Sequence, residues 1–137
     1  MLYLLRTDEN LISVYDKLEK AISILSEIYE STLDCFIILH DDIRMKDNRK
    51  VRGRYMLVKT WLPCMPDDSS KGVIFIDETC NFTEMCTILV HEYSHHLSQE
   101  GHYGKLFNLF KDWLRMEFVK KWRYRKDAER GKDQESN

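Results

Sequence analysis

Residues 91–95 read His-Glu-Tyr-Ser-His inside a stretch whose apolar residues recur at helical spacing, and no other feature constrains the chain as tightly. Phe82, Met85, Cys86, Leu89 and Tyr93 supply one face of this helix. Asn81 with Glu84 three residues on gives a capping-box start, and Gly101 is the expected stop. Four residues advance a helix by about 400°, so His91 and His95 stand one turn apart, about 40° around the axis. A metal ion about 2.0–2.1 Å from each ring can bridge them. Glu92 emerges beside His91, within reach of a water on the metal. Zinc brings the pKa of such a water to about 7, where a carboxylate can take its proton. The pattern points to a zinc hydrolase with His91 and His95 as ligands and Glu92 as general base.

A hydrolytic zinc site takes three protein ligands and keeps one position open. His96 is rotated about 100° from His95 and faces elsewhere. His102, just past the expected helix stop, can turn back and is the preferred third ligand; Glu100 and Glu117 are the alternatives. Tyr103, beside His102, is a candidate hydrogen-bond donor to a transition-state oxyanion.

The rest of the chain reads as one domain. Steps of three and four between Leu11 and Tyr29 predict a helix from Asp8 to about Leu33, with Asp8 as N-cap. Residues 35–39, 55–62 and 73–76 read as three strands, with a polar connection over 41–53 and a turn over 67–72. A last helix runs from about Gly104 to Trp122, and the polar residues 123–137 are expected to form a flexible tail. Trp61 and Trp113 are assigned to the core, as is Tyr93, which faces away from the metal side of its helix. The order predicts an α+β domain over 1–122: an N-terminal helix, a small three-stranded sheet, the histidine helix and a C-terminal helix.

Of the 137 residues, 43% are hydrophobic and 32% charged, and the formal charge is −2, so there is no global pull toward nucleic acid or membrane. No stretch approaches the roughly 18 apolar residues of a membrane span. Cys35, Cys64, Cys80 and Cys86 form no C-x-x-C pair and read as free thiols, which with no evident export signal suggests a soluble protein of a reducing, intracellular compartment.

The stretch from Leu89 to Phe110 joins His91-Glu92-x-x-His95 to Gly101-His102-x-Gly104-x-x-Phe107. It resembles the SprT-like metalloprotease family, which includes the DNA–protein crosslink protease Spartan. In that family the histidine and glycine are usually adjacent, whereas Tyr103 stands between them here. The resemblance implies a minimal zincin-like core, one zinc ion, a protein or peptide substrate bound along the sheet edge, and a cytoplasmic or nucleoid/nuclear setting. It also implies DNA as a partner. Two basic stretches suit that role, one with Arg49, Lys50, Arg52 and Arg54, the other near Trp122 and Tyr124, whose rings could stack on unpaired bases. The competing readings are a metallohydrolase of small amides and a nucleic-acid- or protein-binding module with a non-catalytic metal.

Overall fold

The computed structural model describes residues 1–64 and 71–135. The elements are β1 (Leu2–Leu4), a 3-10 turn (Glu9–Leu11), α1 (Ile12–Ile28), β2 (Cys35–His40), β3 (Gly53–Leu57), α2 (Val58–Trp61), β4 (Gly72–Asp77), α3 (Phe82–Ser98) and α4 (Lys105–Glu135). The fold is mixed α+β. Its sheet has four strands rather than three, in the order β1-β2-β4-β3. β1, β2 and β4 run parallel, and β3 pairs antiparallel with β4 as an edge strand.

The period-2 pattern of the strands sorts side chains between two faces. Ile37, Leu39, Ile74 and Ile76 face the helices and join Leu18, Leu25, Met85, Leu89 and Leu114 in the main core. Ile38 and Val73 face the other way and form a smaller cluster with Val58. Among the described residues no helix is long and apolar enough to cross a membrane.

Several boundaries differ from expectation. β1 is a three-residue strand that exists through long-range pairing: Cys35 N–H donates to Met1 O and Leu5 N–H to Ile37 O, at 2.8 and 2.9 Å. α1 stops at Ile28 because the next residues bridge to other elements. Ser31 N–H donates to the Tyr93 hydroxyl, which donates to Tyr29 O, both at 3.2 Å. Asp8 caps the 3-10 turn ahead of α1, accepting from Asn10 N–H at 2.9 Å. The strand expected over 55–62 breaks after Leu57, where one helical turn closes through Leu62 N–H to Val58 O at 2.7 Å.

At the other end α4 stays helical for 31 residues, well past Trp122. Arg125 on this extension is ion-paired with Glu27 of α1, tying the two helices together. Trp61 and Trp113 are not core residues: they are 39% and 38% exposed, Trp61 edge-on to Phe75 and Trp113 edge-on to Tyr29. The turn expected over 67–72 lies mostly outside the described residues, and Gly72 opens β4.

The approach of β3 to α3 positions the site and depends on Gly53. A Cβ there would collide with the Ile88 side chain and sit 3.6 Å from Glu92 Cγ. Gly53→Ala should therefore cost about 1–3 kcal/mol, the usual range for overpacking, measured by urea unfolding. An unchanged midpoint would mean that β3 is not held against α3.

Candidate metal centre

The site is built from both ends of α3. Asn81 Oδ1 accepts from Glu84 N–H at 2.9 Å, as the capping pattern requires, and this fixes the helix start. The helix ends at Ser98 rather than Gly101. Gln99 takes the left-handed conformation (φ 56°, ψ 29°), and its N–H closes the last turn on His95 O at 2.8 Å. Its side-chain amide donates to His96 O at 2.7 Å and to the Tyr55 hydroxyl at 3.1 Å. These bonds offset the roughly 1–2 kcal/mol that the left-handed region costs a residue with a Cβ.

Past this turn the chain brings His102 back over the helix. His91, His95 and His102 each present a ring nitrogen, and the three atoms lie within 4.8 Å of one another. His91 Nε2 and His102 Nε2 are 3.1 Å apart. A tetrahedral ion with metal–nitrogen bonds of about 2.0–2.1 Å needs ~3.3 Å between ligand atoms, so the donor set fits a metal ion with small adjustment. His95 Nδ1–H donates to Glu100 O at 2.8 Å, which fixes the tautomer and leaves Nε2 as the ligand atom. Phe107, 1% exposed, backs all three rings: it stacks on His95 with centroids 4.1 Å apart and meets His91 and His102 edge-on.

Burial, then the neighbouring His95, His102 and Lys111, push the His91 pKa down to about 4, and burial also lowers that of His95. Both rings are neutral at neutral pH, the form that binds a metal. Glu92 is 8% exposed, and burial raises its carboxyl to about 7, against a smaller opposing effect from the nearby Tyr55 backbone. A carboxyl in that range is suited to accept and return a proton near neutrality.

Glu92 and the three histidines open onto a groove of about 570 Å³ whose far wall is β3. Asp77 N–H bonds to Arg52 O and Val58 N–H to Lys71 O, both at 2.8 Å, so the even-numbered residues of β3 face β4. By alternation the backbone groups of Gly53, Tyr55 and Leu57 point away from the sheet, on the strand's open edge.

The other expected site residues fall elsewhere. His96 is buried and off the cluster: its Nε2–H donates to Leu33 O at 3.1 Å, while Nδ1 accepts from the Tyr55 hydroxyl at 2.8 Å. The Glu100 carboxylate accepts from Phe107 N–H at 3.0 Å, starting α4 instead of binding metal. Glu117 pairs with Lys120 at 3.7 Å. Tyr103 projects fully into solvent and does not line the groove. The phenol that does is Tyr55, legible in the sequence only as a strand residue. Arg49 and Arg54 line the groove, with Arg54 Nη1 donating to Arg44 O at 2.6 Å; Arg52 is ion-paired with Glu84, and Lys50 is exposed.

The chain matches no family model, no curated protein and no solved structure. The geometry therefore stands alone in defining a three-histidine group able to hold a metal ion.

Two outcomes follow. His102→Ala should lose most bound metal at neutral pH, whereas His96→Ala should keep it and lose about 1–3 kcal/mol of stability from its unpaired buried partners. Metal analysis after dialysis, with urea unfolding in parallel, separates the two; retention by the first variant and loss by the second would reverse the ligand assignment. The second outcome concerns Glu92 in metal-free protein. Its folded pKa of about 7 lies above the unfolded value of about 4.3, so the folded state binds its proton more tightly. The resulting penalty is absent below pH 4, grows as pH rises to 7 and is constant above. Glu92→Gln should thus stabilise the metal-free chain by about 1–3 kcal/mol at pH 8 and by nothing near pH 4; equal stabilities at pH 8 would show that the carboxyl is well solvated.

Proposed function

We propose that the chain is a zinc-dependent metallopeptidase with a zincin-like core. The observation that carries this reading is the buried Glu92 beside three converging imidazoles, facing an edge strand across a groove. A purely structural site has no use for a proton acceptor of this kind. Three imidazoles with no thiolate suit zinc among the borderline divalent ions. When bound, the ion would supply Lewis acidity, polarising a carbonyl and lowering the pKa of a water.

The chain's own residues do the rest. The open edge of β3 offers backbone donors and acceptors to an extended substrate, adding it to the sheet as a further strand. The groove then holds the scissile carbonyl over the histidine cluster. Glu92 takes a proton from the attacking water and returns it to the leaving amine. Phe107 and the Glu100 carbonyl keep the imidazoles in place throughout. Of the residues suggested for DNA contact, Arg49 lines this groove and Lys50 is exposed next to it in the chain, and action on DNA-associated proteins would rest on them.

Glu92→Gln should lower the cleavage of an unfolded protein substrate by at least about 100-fold, the low end for general-base catalysis, with zinc content unchanged. Gel-based turnover and metal analysis on the same samples test this. Cleavage at a rate close to that of the unmodified chain would refute the role of Glu92.

A further inference from the structure

His91 also borders a second groove, of about 530 Å³, lying between α3 and α4. That volume is within the range of ligand-binding clefts, roughly 300–1,000 Å³. Its floor is apolar, with Phe82, Cys86 and Val90 at successive turns of α3 and Trp122 on α4. Its rim is one-sided. Lys111, Arg115, Arg123 and Lys126 all stand on α4, whereas the α3 wall presents neutral Thr83 and Thr87. Asp112 is the single acid among the described lining residues.

These four cations differ from others on the same helix. Arg125 and Lys120 point elsewhere and are matched within the chain, to Glu27 and Glu117. Among the described residues none of the four at the groove forms an ion pair. Like charges a turn or two apart on a helix repel. A row of them beside an apolar cleft is complementary to an occupant with apolar side chains and carboxylates. Nucleic acid fits less well, because the Trp122 ring is already engaged. Phe82 and Phe118 pack on it at 5.4 and 5.9 Å, and Lys126 Nζ lies 5.6 Å over it. Base stacking needs an open aromatic face.

We propose that this groove holds the substrate chain on one side of the scissile bond and selects segments in which apolar residues alternate with Asp or Glu. The proposal rests on the peptidase reading above. From Phe82 to His91 α3 rises about 13 Å, the span of about four extended residues. In such a segment alternate side chains point oppositely, the apolar ones into the floor and the acidic ones toward the α4 rim.

The test uses the full zinc-loaded chain and quenched fluorescent peptides with an apolar–acidic segment before or after one cleavable bond, each with a lysine-for-acid counterpart. The acidic peptide should be cleaved with a kcat/KM about tenfold or more above its counterpart, for one placement of the segment only. The preference should shrink between about 0.05 and 0.5 M salt, as screened charge pairs do. Arg115→Glu combined with Arg123→Glu, two exposed positions, should reverse it. Equal kcat/KM for both charges in the unmodified chain, at low and high salt, would overturn the groove assignment while leaving the peptidase standing. Anisotropy of the same peptides on zinc-loaded Glu92→Gln protein separates the other case: charge-selective binding without any cleavage by the unmodified chain supports the groove and removes the peptidase. Tighter binding of a single-stranded oligonucleotide, itself weakened by the double charge reversal, would overturn the peptide as occupant.

Discussion

Three imidazoles meet at one point in this chain because α3 stops where it does. The left-handed Gln99 ends the helix one turn after His95, so the next carbonyl, Glu100 O, lies within reach of His95 Nδ1. The same turn sends the backbone back across the helix and delivers His102. It also places the Glu100 carboxylate on Phe107 N–H, starting α4 and setting the ring against which all three histidines rest. If the helix ran one more turn, His91 and His95 would remain a pair without a third partner.

A second constraint links this turn to the sheet. The Tyr55 hydroxyl donates to His96 and accepts from Gln99, its ring lies parallel to His95, and its backbone faces Glu92. One residue of the edge strand therefore touches the helix end, a ligand ring and the candidate base. Gly53 permits this closeness by having no side chain to meet Ile88. Strand and helix pack together around the groove, and Glu92 is buried as a consequence. That burial raises its carboxyl toward neutrality; no dedicated charged neighbour is needed.

The parts of the site legible in the sequence are those set by local spacing. His91, His95 and the Asn81 cap follow from helical periodicity alone, and His102 from its position just past a helix end. The helix stop is not legible, since glycine is the usual left-handed residue and Gln99 takes that role with side-chain bonds to Tyr55 and His96 O. β1 and α2 were illegible for a related reason: three or four residues carry too little pattern, and their partners, Cys35 and Lys71, are distant in sequence. The polar residues after Trp122 gave no periodic signal, yet α4 continues, with Arg125 paired to Glu27. The groove between α3 and α4 depends on how two helices pack, which neither helix records on its own.

The proposed chemistry depends on a metal held by three imidazoles with one position left for solvent. X-ray absorption at the zinc edge of stoichiometrically loaded protein reads this directly. The prediction is three nitrogen scatterers with imidazole outer-shell features and one further light atom, all at about 2.0–2.1 Å, with no sulfur. A sulfur shell near 2.3 Å, or four imidazoles with no solvent position, would contradict it.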